Sequence, residues 1–126
     1  MILGIGTDIV EIERIDQSLK KSHALARRVL TDNEYAEFEI SLHPSRYLAK
    51  KFASKEATVK AIGTGIGYGM SWQHIEISHD EKGKPLLIAH GAFDIWCKEN
   101  GVNAMHISIA DEQDYASAFV VIEASK

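Results

Sequence analysis

Asp8 and Glu56 are the carboxylates whose surroundings suit chemistry. Asp8 interrupts an apolar, β-branched run, Ile2 to Val10, in which aspartate is disfavoured. It either ends that strand or caps the next helix, or it is a carboxylate presented beside Gly4 and Gly6, where missing side chains let a ligand approach the backbone. Glu56 lies 48 positions further on. If the two meet, they form a magnesium-type site, since Mg²⁺ is held by one or two carboxylates together with waters and substrate phosphate oxygens. The competing reading pairs Glu56 with Lys60 at i, i+4 on a solvated helix face, worth about 0.2–0.5 kcal/mol.

Around Glu56 the charge is strongly biased. From Ser45 to Gly63 the chain carries Arg46, Lys50, Lys51, Lys55 and Lys60 against Glu56 alone, in a protein of net charge −4. Such a cationic island suits a small polyanion. Lys60 lies one turn before Gly63-Thr64-Gly65-Ile66-Gly67-Tyr68-Gly69, where an ammonium and unhindered backbone N–H groups could surround a phosphate. The spacing is not the Walker pattern, and a plain flexible connection explains the glycines equally. His106 alternates with Met105, Ile107 and Ile109, which puts His106 and Ser108 on the face opposite the core. The other five histidines show no zinc-ligand spacing. Arg14, Lys20, Lys21, Arg27 and Arg28, opposed only by Asp16, make a second basic segment, either a solvated helix face or a dock for an acidic partner.

The elements that must hold these groups are readable from periodicity. Ile2–Val10 alternates as a strand, with Leu3, Ile5, Thr7 and Ile9 on one side and Gly4, Gly6, Asp8 and Val10 on an open, glycine-lined side. Glu11 to Ser41 is helical, with Ile12, Ile15 and Leu19 at helix spacing and Thr31-Asp32-Asn33-Glu34 as a capping box. His43-Pro44 breaks the run, and Ser45 is the expected N-cap of the longest helix. Leu48, Phe52, Val59 and Ile62 stripe that helix down to a stop at Gly63. A strand Trp72–His79, a turn, a strand Leu86–Ala89, a helix Gly91–Asn100, and a hairpin of Met105–Ile109 with Tyr115–Glu123 complete the chain. Helices first and antiparallel strands second predict an α+β fold, one domain over residues 1–126 with a long central helix packed on antiparallel strands.

Composition narrows the function classes. With 45% hydrophobic and 25% charged residues, the chain reads as folded and soluble. The N-terminus has no basic n-region and no small-residue cleavage site, and no apolar stretch reaches the roughly 18 residues of a membrane span. Lone Cys97, on an apolar helix, is expected to pack in the core and fits a cytoplasmic setting. The acidic overall balance argues against general nucleic-acid binding.

Two long motifs carry a resemblance. Gly4-Ile5-Gly6-Thr7-Asp8-Ile9-Val10-Glu11-Ile12 with Arg14-Ile15, and Phe52-Ala53-Ser54-Lys55-Glu56-Ala57 with Lys60-Ala61 and Gly63-Thr64-Gly65-Ile66, resemble the holo-[acyl-carrier-protein] synthases, the small, single-domain 4'-phosphopantetheinyl transferases. Leu25–Thr31, Gly83-Lys84-Pro85 and Met105–Asp111 extend the likeness over nearly the whole chain. The resemblance implies transfer of the 4'-phosphopantetheine arm of coenzyme A to a serine of apo acyl carrier protein, releasing adenosine 3',5'-bisphosphate, in fatty acid biosynthesis.

Position by position, the resemblance makes Asp8 and Glu56 magnesium ligands and Lys60 a contact to the coenzyme A phosphates. It makes Gly63, Gly65 and Ile66 the loop lining the nucleotide, places His106 at the coenzyme site, and makes Arg14, with Arg27 and Arg28, carrier-protein contacts. The base that takes the serine proton is left open among Glu56, Asp8 and His106, with Glu56 ranked first. Family members form homotrimers with shared active sites, and the broader-specificity transferases resemble two such units fused, so this length fits the short type. A non-catalytic coenzyme A or nucleotide-binding module is the alternative, but it has little use for two carboxylates beside an anionic ligand. A structural oligomer would leave the Gly4-Gly6-Asp8 arrangement unexplained.

Overall fold

The computed structural model describes residues 1–67 and 69–125. The strand β1 (Ile2–Glu11) is followed by helices α1 (Ile12–Lys21), α2 (Ala24–Val29), α3 (Asp32–Ile40) and α4 (Pro44–Ile62). A 3-10 turn over Trp72–His74 leads into β2 (Ile75–His79), β3 (Pro85–Ala89), α5 (Gly91–Glu99), β4 (Val102–Asp111) and β5 (Tyr115–Ala124). The class is α+β, as the sequence predicts. β1, β5 and β4 form a three-stranded antiparallel sheet in that order, and β2 and β3 form a separate hairpin.

The 19-residue α4 lies across one face of the three-stranded sheet. Ala53, Ala57 and Ala61, one turn apart and nearly or fully buried, share a core with Ala118, Val120 and Ile122 of β5. Against β1 the approach is closer still. A methyl group added at Gly4 would stand 1.8 Å from the Ala61 carbonyl oxygen, and one added at Gly6 2.0 Å from that of Ala57. This corrects the expectation of an open, glycine-lined side: helix backbone fills that space, and a ligand cannot. Leu3, Ile5 and Ile9, on the other face of β1, are the exposed ones.

The helix start also differs from expectation. Pro44 occupies the first turn of α4, where its fixed φ favours helix and its missing N–H costs nothing, so His43 takes the N-cap position without a side-chain cap. Ser45 does not cap; its hydroxyl donates to Asp16 Oδ1 at 2.7 Å and ties α4 to α1. The expected capping box at Thr31–Glu34 is present, and Gly63 ends α4 in the left-handed region at φ 75°. The helical stretch of Glu11–Ser41 is three helices, and the expected strand from Trp72 begins only at Ile75, after the 3-10 turn. Tyr68 of the glycine loop lies outside the described residues.

Candidate active site

Asp8 sits on the α4 side of β1, two residues beyond Gly6, so the tight helix–strand contact that the glycines permit brings it beside α4. Glu56 and Lys60 are one turn apart on α4. Asp8, Glu56 and Lys60 line one cavity of about 510 Å³, together with Glu11 and Arg14 and with the apolar wall of Leu25 and Phe52. The two carboxylates therefore line the same cavity.

Burial raises the Glu56 carboxyl above its ordinary range, the Asp8 charge raises it further, and Lys60 opposes both. Lys60 Nζ donates to Asp8 Oδ1 and to the Thr7 carbonyl, each at 3.0 Å. The i, i+4 reading is thereby corrected: Lys60 reaches across to β1 and pairs with Asp8. Among the described residues no group of three or more His, Cys, Asp or Glu side chains could hold a metal ion. Two adjoining carboxylates with room for phosphate oxygens are the donor set that Mg²⁺ accepts.

The cationic island of the sequence separates in space. Lys55 is fully buried on Glu34, and Lys51 Nζ, also buried, donates to the Ile77 carbonyl at 3.1 Å. Arg46 and Lys50 turn to Asp111 at 2.8 and 3.6 Å, and only Lys60 reaches the carboxylate cavity. Helical periodicity forces this, because consecutive basic residues on α4 point in different directions. Acids distant in sequence then pair with Arg46, Lys50, Lys55 and Lys60, while Lys51 takes a backbone carbonyl, and composition over a window could not reveal those partners.

A second cavity, of about 220 Å³, gathers Arg46, Lys50, His43 and His79 beside Tyr47 and Ile109. Burial and the charges of Lys51 and Lys50 hold the His79 imidazole below its ordinary pKa. His43 and His79 stand 36 positions apart with no ligand spacing in the sequence, so no local pattern singles them out.

The remaining candidates lie elsewhere. His106 is on the sheet face turned away from α4, and its Nε2 lies 2.7 Å from Glu123 Oε2. Within one chain it does not meet Asp8 and Glu56. Gly65 lines a third cavity with Thr64, Gly67, Ala92 and Trp96, while Gly63 closes α4 and Ile66 packs against the core. Arg14 is exposed at the rim of the carboxylate cavity, and Arg28 is exposed on α2. Arg27 stacks over the Tyr35 ring at 4.8 Å, which draws it toward α3. Cys97 packs in the core, its thiol pushed up to about 11 by burial.

Comparison with known proteins gives a consistent result. Residues 4–120 match the model of the 4'-phosphopantetheinyl transferase superfamily. The chain is 54% identical over 132 residues to a holo-[acyl-carrier-protein] synthase of Shewanella woodyi, covering 98% of this chain and 99% of that protein. Its fold is similar to a crystal structure of holo-[acyl-carrier-protein] synthase from Neisseria meningitidis, with TM-score 0.92 and 47% identity over 98% of this chain and 99% of that one. A Bacillus anthracis holo-(acyl-carrier-protein) synthase, solved in complex with CoA (3',5'-ADP), is also similar, with TM-score 0.81 and 38% identity over 99% of each chain.

Proposed function

The chain belongs to the 4'-phosphopantetheinyl transferase superfamily, among its holo-[acyl-carrier-protein] synthases, and on that footing we propose that it moves the phosphopantetheine arm of coenzyme A onto a serine of apo acyl carrier protein, serving fatty acid biosynthesis. The observation that carries the reading is the meeting of Asp8, Glu56 and Lys60 in one cavity. Relatives solved with coenzyme A, from Bacillus anthracis and Helicobacter pylori, support it as the substrate.

Asp8 and Glu56 are the residues that would hold Mg²⁺, which when bound supplies charge neutralisation to the pyrophosphate. Lys60 is free to leave Asp8 for a phosphate oxygen, because its side chain is 53% exposed and its two partners are on the cavity wall. In-line displacement by a serine hydroxyl builds negative charge on phosphoryl oxygens, and a fixed ammonium there stabilises it. Glu56 is the first choice for taking the serine proton, because it lines the cavity beside Asp8 and Lys60 and could both hold the ion and orient a water. Leu25 and Phe52 keep one side of the cavity dry. Arg14, at the same rim, is placed to meet an acidic carrier protein, with Arg28 and Arg27 further along.

A homotrimer belongs to the same proposal. Leu3, Ile5 and Ile9 of β1 and Phe119 of β5, on the sheet face away from α4, are 42%, 58%, 65% and 46% exposed, an apolar surface that a second copy would cover. His106 shares that face, so a neighbouring copy's cavity is where it would serve coenzyme A. The cytoplasmic setting rests on lone Cys97 and on the substrate pair. Incubating the protein with coenzyme A, Mg²⁺ and apo acyl carrier protein, then weighing the carrier, tests the activity. The expected product is heavier by one phosphopantetheine arm, and an unchanged mass with a cognate carrier overturns the assignment.

A further inference from the structure

Glu34 and Lys55 form an ion pair with almost no solvent contact, their side chains 1% and 0% exposed and the Nζ–Oε1 distance 2.6 Å. Every ammonium proton is used: besides Glu34, Nζ donates to the Val29 carbonyl at 2.6 Å and the Trp72 carbonyl at 3.1 Å. Glu34 is equally committed, Oε1 accepting from the Thr31 N–H and Oε2 from the Ile77 N–H, each at 2.9 Å. The pair thus joins the end of α2, the first turn of α3, the middle of α4, the 3-10 turn and β2.

Such a pair adds little net stability, because desolvation consumes most of its attraction and a well-packed apolar core does as well. What three fixed bonds on one ammonium do supply is a single allowed rotation of α4 at residue 55. Glu56 is the next residue, turned about 100° around the helix axis, where it faces the cavity shared with Asp8. The same network holds the hairpin. Among the described residues β2 has a strand neighbour only in β3, and Ile77 donates to Glu34 and accepts from Lys51. His79, two residues on, lines the basic cavity with Arg46 and Lys50.

We propose that Glu34 and Lys55 are positioning residues for the transfer site, setting the rotation of α4 that aims Glu56 at the cavity shared with Asp8, and seating the β2–β3 hairpin against that helix. The proposal rests on the reading of Asp8 and Glu56 as the metal carboxylates. It is tested with Glu34→Gln, which keeps the side-chain shape but removes the charge. Glu34→Leu with Lys55→Met, which leaves no unpaired ion, serves if the single variant does not fold.

In a variant with a wild-type far-ultraviolet spectrum, assayed well below its melting temperature, kcat falls at least tenfold. The KM for carrier protein changes less than kcat, because Arg14 on α1 is untouched and α2, which carries Arg27 and Arg28, touches the network only through the Val29 carbonyl. Without carrier, Mn²⁺ affinity in the presence of coenzyme A, read by calorimetry, falls at least fivefold. Because that binding needs no turnover, a wild type that binds Mn²⁺ yet transfers nothing overturns the transferase reading while leaving this comparison decisive. Values of kcat and Mn²⁺ affinity within twofold of wild type overturn the positioning role. So does a loss of kcat at unchanged Mn²⁺ affinity, and so does failure of both variants to fold, which would make the pair a requirement of folding alone.

Discussion

Lys60 holds Asp8 at 3.0 Å, while burial and the Asp8 charge raise the carboxyl of Glu56, which lines the same cavity, above its ordinary range. On the proposed reading, Asp8, Glu56 and Lys60 are the groups that would hold a divalent ion and a phosphate there. Arg14 at the rim is the residue through which an acidic partner would be recognised. Arg14→Glu raises the KM for carrier protein about tenfold at low salt while leaving coenzyme A affinity within twofold, since rim charges act on encounter. Steady-state titration of each substrate checks this, and an unchanged carrier KM removes Arg14 from the docking surface. At this scale Asp8 was legible as a polar interruption of a strand, but its meeting with Glu56 was not, because 48 positions of chain separate them and only the family resemblance joined them. Glu34 was legible as half of a capping box; its second oxygen, bound to Ile77, belongs to a tertiary contact that no local pattern encodes.

α4 and β1 are placed by the smallness of what lies between them. Gly6→Ala puts a methyl group 2.0 Å from a helix carbonyl, and backbone must shift to admit it. We expect a loss of roughly 3 kcal/mol in a denaturant melt, at the upper end of overpacking costs; a change under about 1 kcal/mol would mean that the strand–helix spacing is soft. At the far end of the sheet, Arg46 and Lys50 clamp Asp111, and above all the hydrogen bond from Arg46 holds its carboxyl below the ordinary aspartate value. A carboxyl depressed in the fold contributes stability above its unfolded pKa and loses it as pH falls through the folded value. Asp111→Asn is therefore less stable than wild type at neutral pH, and the gap closes as pH drops below about 3.8. Melts at a series of pH values read this directly, and a pH-independent gap would assign the effect to packing. Pro44 and Gly63 made the ends of α4 legible, whereas the role of Ser45 was misread because its hydroxyl serves a contact with α1.

The three-stranded sheet has one face closed by α4 and one left apolar and open, with Phe119 and Ile5 on it. Alternation in β1 made both faces legible, but the glycine-lined face, expected to be open, proved to be the seat of a close helix contact. Phe119→Lys places a charge on the face proposed to join copies; light scattering should find the trimer dissociated and transfer lost together, whereas a monomeric yet fully active variant would show that one chain suffices. The claim on which everything else depends is that Asp8 and Glu56 jointly hold the ion required for transfer. Its most direct test is the Mg²⁺ dependence of carrier-protein mass gain for wild type, Asp8→Asn and Glu56→Gln. Metal-dependent transfer by wild type and none by either folded variant at saturating Mg²⁺ is the predicted result; near-normal turnover by either variant would contradict it.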